Sequence, residues 1–473
     1  MESMQERPKR LAVIYHFGLI GFISLMVNST KAQTCSGVEN YALNRPGVVM
    51  IKTVFSATVD VRDMKIDNRR FNRLLDSIQK IDANGIVFTP EQKLDIVLRE
   101  MNNNPSHFFK TTYDYIKQTE EITATGTGFF ITGDGYVATN SHLIDRDNAF
   151  IRRHFILSAF QQITDANISA LENSWATKFT EQQRSLLYNT YSSVYSRLFS
   201  MVLNDLKKTV YVVYRKDVEG KEAVSETKAA SIIIKGSPMP GKDVAILKIE
   251  ADSNLPTLKI ADGRLPKVGE QLFVYGYPAP VTNNEFVSVE SAIEPTLTTG
   301  IVSAIKKSVN GWPVIQTDAN INHGSSGGPV CNNMGEVVGL TTFGSIELNG
   351  GLAAGLNFAI PVEILQEFLD SVDITPYNSK ASVLFANGMA LYEKEYFSLA
   401  LKKFISVKDL NPHYPTLETY IAVCKNAVRN GEDKESKMIL LGAAGIIVIL
   451  LIVIPNILLG RRKRNKKMNS GLA

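Results

Sequence analysis

Cysteine is nearly absent, with Cys35, Cys331 and Cys424 scattered over 473 residues. These three offer neither a disulfide framework nor the paired spacing of a zinc site. Net charge is also small, +4 from 51 basic and 47 acidic residues. The densest basic run lies at the extreme C-terminus instead of across a folded segment, so a nucleic-acid partner is not expected. No metal or other cofactor is called for. An apolar fraction of 44% and a charged fraction of 21% are globular values, and the length asks for two or three folded units. An exported chain without disulfides suits a bacterial envelope better than a disulfide-rich secretion.

Two apolar stretches frame the chain. Arg7, Lys9 and Arg10 precede Leu11 to Val27, and small and polar residues follow to Ala32. Residues 1–33 therefore read as a signal peptide or an N-terminal membrane anchor. Met438 to Leu459 carries no charged residue and at about 1.5 Å per residue would span roughly 33 Å as a helix. Arg461 to Lys467 follow at once, so residues 438–459 are expected to cross a membrane and 460–473 to form a basic cytosolic tail. Basic flanks at both ends put everything between them on the extracytoplasmic or periplasmic side of the cell membrane. The span is single-pass if the leader is cleaved and two-pass if it is kept.

Three stretches carry chemistry. TGTGFFITGDGYVATNSHLID, from Thr125, reads as two strands joined by a Gly-Asp-Gly turn, with His142 just past the second strand. A strand end holds a general base rigidly toward a cleft. Of the six histidines, His107, His154 and His413 sit in helix-like stretches and His16 in the leader. KDVAILKIE, from Lys242, puts Asp243 at the head of an apolar strand, where a carboxylate can accept an imidazole N–H and fix its tautomer. In TDANINHGSSGGPV, Thr317 to Val330, glycines surround Ser326. Gly324 allows its own N–H and that of Ser326 to point at one oxygen, while Gly327 and Gly328 leave the approach open to a peptide. The order His, Asp, Ser is the chymotrypsin arrangement.

With TTGIVSAI and GLNFAIPVEIL, these motifs resemble the HtrA (Deg) family of trypsin-like serine proteases over roughly Arg45 to Val372. The resemblance implies an all-β protease domain of two six-stranded barrels over residues 38–375, with catalytic His142, Asp243 and Ser326. It implies an oxyanion hole from Gly324 and Ser326, and cofactor-free endopeptidase chemistry on misfolded or specific envelope proteins. Asn320 should lie near the base of the S1 pocket, with Ile321, Thr342 and Phe343 as further substrate-binding candidates. An uncharged Asn320 points to a small or medium apolar P1 residue. His323 and Ser325 depart from the family's usual Pro and Asn. Cys331 reads as a small buried residue.

Two helical insertions interrupt the domain, at about 64–120 and 146–208. Phe71, Leu74, Leu75, Ile78 and Ile81 recur at helical spacing, as do Leu187, Tyr191, Val194, Leu198 and Met201, and Thr89/Gln92 and Thr180/Gln183 form capping boxes. Such helices either merely pack on the barrels or act in regulation, gating the cleft or driving homo-oligomerisation. Residues 378–431 resemble one tetratricopeptide repeat plus a helix, through Leu384, Gly388, Tyr392, Ala400, Phe404 and Pro412. Too little chain precedes Met438 for the PDZ domain that most HtrA relatives carry. The leading reading is a protease acting on protein or peptide substrates and held to lipid by its C-terminal helix. A non-catalytic envelope scaffold or chaperone is the alternative.

Overall fold

The computed structural model describes residues 35–145, 148–197, 201–218, 220–251, 253–278, 291–346 and 352–469, so the expected leader lies outside the described residues. Six antiparallel strands, β1 (Val48–Ile66), β2 (Phe109–Phe130), β3 (Tyr136–Thr139), β4 (Met201–Lys216), β5 (Val224–Lys235) and β6 (Ala245–Ile249), close into a barrel in the order β1-β2-β3-β6-β5-β4. Alternation in β1 sends Val49 and Ile51 inward, against Val137, Val212 and Leu247. The second sheet contains β7 (Lys259–Ile260), β8 (Gln271–Gly276), β9 (Thr296–Lys307), β10 (Pro313–Thr317), β11 (Pro329–Cys331), β12 (Glu336–Ile346) and β13 (Leu352–Pro361). Its order is β11-β8-β9-β10-β13-β12-β7, and β11 also pairs with β12. The short β7, added in parallel to β12, makes this a seven-stranded sheet where six strands are expected from the sequence.

Between the sheets lies a shared core in which Phe129, Ala138 and Ile246 of the barrel meet Tyr275, Leu340 and Ile360 of the second sheet. Cys331 is buried within this core, as expected.

The helices are, in chain order, α1 (Gly37–Asn44), α2 (Asn68–Ala83), α3 (Pro90–Asn103), α4 (Pro105–Phe108), α5 (Ser141–Ile144), α6 (Asn148–Ser174) and α7 (Glu181–Arg197). After the second sheet come α8 (Val362–Asp370), α9 (Lys380–Glu393), α10 (Phe397–Leu410), α11 (Leu417–Arg429) and α12 (Lys434–Asn469). Both capping boxes form, with Thr89 and Gln92 closing the start of α3 and Thr180 and Gln183 that of α7.

The insertions are not wholly helical. Residues 109–120 and 201–208 are strand, because β1, β2 and β4 run on past the barrel as a three-stranded arm. Met201 thus opens β4 instead of ending a helix, and Leu198 lies outside the described residues. The alternation of β1 continues along the arm, and Phe55, Ala57, Val59 and Val61 are buried under α3, α6 and α7 through Leu98, Phe155 and Tyr191. This is a second core, built on the same strands as the first.

At the other end of β1, α9, α10 and α11 pack around Phe385, Phe404 and Tyr414, joined by Ala42 of α1. Gly388 is required there, since a Cβ would come within 2.6 Å of the Phe404 ring. Hydrogen bonds seat these helices on the barrel, from Ser379 N–H to Thr257 Oγ1 at 2.9 Å and from Thr416 N–H to Asp217 Oδ2 at 2.6 Å. His413 falls in the turn between α10 and α11 rather than in a helix, because α10 ends at Leu410.

Asp433 joins α12 to this unit. It accepts Ser436 N–H at the helix start and Ser398 N–H at the start of α10, at 3.0 and 3.1 Å. Burial acts to raise its carboxyl, but hydrogen bonds from Ser436 and Ser398 outweigh it and hold the group at about 2. Among the described residues α12 contains the one stretch long and apolar enough to cross a membrane, with a mean hydropathy of 3.0.

Candidate active site

The Gly133-Asp134-Gly135 turn joins β2 to β3, with Gly135 at φ 105°, a backbone angle that suits glycine. β3 ends at Thr139, and Asn140 Nδ2 donates to the Asp243 carbonyl at 2.7 Å. This bond fixes the turn into α5, which carries His142, beside the segment leading into β6. The Asp243 carboxylate, 1% exposed, accepts three hydrogen bonds. They come from His142 N–H at 2.8 Å, His142 Nδ1 at 2.6 Å and Thr342 Oγ1 at 2.9 Å. An ionised carboxylate only accepts, so Nδ1 carries the proton and Nε2 is left as the base.

Ser326 stands on the loop between β10 and β11. Its hydroxyl donates to the Thr342 carbonyl at 2.9 Å, and its own carbonyl accepts Thr127 N–H at 2.8 Å. Gly324 sits at φ 94°, and its carbonyl accepts the Thr127 hydroxyl at 2.7 Å. Among the described residues, neither Gly324 N–H nor Ser326 N–H has an acceptor. Two adjacent unpaired donors beside a hydroxyl are what an oxyanion site requires.

The glycines after Ser326 serve packing. A Cβ at Gly327 would lie 2.2 Å from the Thr127 carbonyl oxygen, and one at Gly328 would lie 2.0 Å from that of Tyr275. Their bareness lets the loop press against β2 and β8, so it is not the open approach for a peptide expected from the sequence.

The expected substrate-binding residues scatter. Asn320 is exposed, and its carbonyl accepts the Thr298 hydroxyl at 2.9 Å. Ile321 points the other way, into the core of the second sheet with Val274 and Val330, and does not face the cleft. Thr342 is buried and gives its hydroxyl to Asp243 and its carbonyl to Ser326, so it positions both groups. The side chain of Phe343 lies outside the described residues. His323 is exposed and Ser325 buried. The sequence reading missed Thr127 and Asn140. Their hydrogen-bonding side chains inside the TGTG and TNSH motifs were the available signal.

This fold and site define a trypsin-like serine peptidase domain, and residues 126–340 match the trypsin-like peptidase domain family. Over part of its length the chain is similar to DegP-like and DegS serine endoproteases. A probable periplasmic serine endoprotease DegP-like from Halomonas elongata is 38% identical over 133 residues, 28% of this chain and 25% of that protein. Its counterpart from Hahella chejuensis is 27% identical over 273 residues, 57% of this chain and 39% of that protein. Serine endoprotease DegS from Escherichia coli is 33% identical over 135 residues, 28% of this chain and 35% of that protein. The chain thus spans between a quarter and two fifths of the length of these curated relatives.

Proposed function

We propose that the protein is a membrane-anchored serine endopeptidase that cleaves misfolded or specific envelope proteins through an acyl-enzyme. Ser326 attacks the scissile carbonyl, His142 takes the proton at Nε2 and returns it to the leaving amine, and Asp243 orients the imidazole. The observation that carries this reading is the buried Asp243 carboxylate bonded to both N–H groups of His142, with Thr342 bridging to Ser326. For attack, the Ser326 hydroxyl exchanges the Thr342 carbonyl for His142 Nε2. The N–H groups of Gly324 and Ser326 then stabilise the oxyanion, each worth about 3 kcal/mol.

The apolar part of α12 anchors the domain, with the basic tail in the cytoplasm and the cleft on the extracytoplasmic or periplasmic side. The periplasmic relatives support that side. Helices α9 to α11 act as a tetratricopeptide-like segment whose apolar face leans on α1. Asn320 carries no charge, in keeping with a small or medium apolar P1 residue. A fluorophosphonate probe should label the wild type, and Ser326→Ala should abolish labelling. A wild type that neither labels nor cleaves an unfolded protein would transfer the function to the scaffold reading.

A further inference from the structure

Among the described residues, the arm of β2 has one edge with no strand paired to it. In an antiparallel pair, alternate residues of a strand turn N–H and C=O to the same neighbour. Thr127 turns both away from β1, its N–H to Ser326 and its carbonyl to the Thr139 hydroxyl. The pairing of β1 with β2 holds one register from Phe129 to Tyr115, so Thr125, Thr123, Glu121, Thr119, Lys117 and Tyr115 turn the same way. β3 covers only Phe129 and Phe130. Among the described residues, none of these six N–H groups has an acceptor. An irregularity between Arg62 and Met64 ends the regular edge just beyond Tyr115.

This edge is complementary to itself. A two-fold axis normal to the sheet at Thr119 sets Thr119 opposite Thr119, Lys117 opposite Glu121 and Tyr115 opposite Thr123 of the second copy. All of these residues have free backbone groups, so each opposed pair can exchange two hydrogen bonds. The same register sets Ile116 against Ile122 on the other face. It places two Lys-Glu pairs directly across the junction, where opposite charges stabilise and like charges destabilise. The surroundings fit an occupied edge. Tyr115 and Ile116 are 47% and 36% exposed, and Phe150 and Leu157, two helical turns apart on α6 above the arm, are each more than half exposed. A long edge with aromatic and aliphatic residues in the open is what a monomer avoids.

We propose that two copies of this chain join through the β2 arm edge, antiparallel about Thr119, with Lys117 of each paired to Glu121 of the other. The arm sheets then form one six-stranded sheet roofed by both copies of α6. Charge complementarity in this one register selects a second copy as the occupant, and the proposal does not depend on the catalytic reading.

The full chain in detergent, in a Cys35→Ser background, tests it. Thr119→Cys should give a covalent dimer on mild oxidation, because hydrogen-bonded cross-strand positions lie within disulfide reach. Lys117→Glu and Glu121→Lys should each weaken self-association at least about tenfold by sedimentation, since each turns both pairs into like charges. The double reversal Lys117→Glu/Glu121→Lys should restore it, which also guards against a variant that merely misfolds. A Thr119→Cys chain that stays uncrosslinked, or a double reversal that associates no better than the singles, overturns the proposal. Crosslinking of residue 119 to an added unfolded protein in place of a second copy overturns it as well.

Discussion

β1 and β2 each pass through two environments, and the two halves are built alike but used differently. In the barrel half, β2 has neighbours on both edges, β1 on one side and β3 with the Ser326 loop on the other. In the arm half the same alternation buries one face, under helices instead of barrel strands, and among the described residues no strand pairs with the second edge. A strand's inward pattern therefore shows that it will be covered, not by what. The site depends on the barrel half, where Thr127 ties β2 to the loop that carries Ser326.

The largest expected effect lies in the barrel half. Asp243→Asn should lower kcat on the order of 10,000-fold, because an amide in place of the carboxylate favours the wrong His142 tautomer. Steady-state cleavage of a short peptide measures this, and a loss under tenfold would separate Asp243 from the chemistry. In the arm, Phe155→Ala empties a fully buried position and should cost about 3–5 kcal/mol. Denaturant unfolding reads that loss, while fluorophosphonate labelling of Ser326 should persist. Loss of labelling under native conditions would join the two halves into one unit.

The smallest effect lies at the far end of β1. Asp433 is held at about 2, below its ordinary value, so the stabilisation it gives is complete above about pH 4 and fades as pH falls through 2. Protease protection of the segment between α11 and α12 should drop over that window in the wild type. In Asp433→Asn it should be weaker at neutral pH and flatter across the range. Glu435 also accepts the Ser398 hydroxyl at 2.5 Å, so part of the tie between α10 and α12 should survive in the variant.

Much of this was legible in the chain because local chemistry announces itself. The Gly-Asp-Gly hairpin, the glycine-framed Ser326, Asp243 before an apolar strand and the two capping boxes each act within a few residues. Gly327 and Gly328 were legible as necessary but not for the right reason, since their neighbours, the Thr127 and Tyr275 carbonyls, are distant in sequence. Thr342 and Ile321 were misplaced for a related cause. Thr342 lies on β12 beside Asp243 and Ile321 lies in the loop after β10 beside Val274, and these neighbours are distant in sequence.

What the sequence determined by itself is the identity of the groups gathered at the candidate site and the apolar stretch after Met438. These follow from residue type and short spacing. Only the tertiary structure decided that the insertions ride on strands 19 and 22 residues long, and that Thr342 links Asp243 to Ser326. Only there, too, does it emerge that, among the described residues, no strand pairs with the second edge of the β2 arm. The reason is that strand partners come from far along the chain, and a pattern of alternate burial is the same whatever completes it.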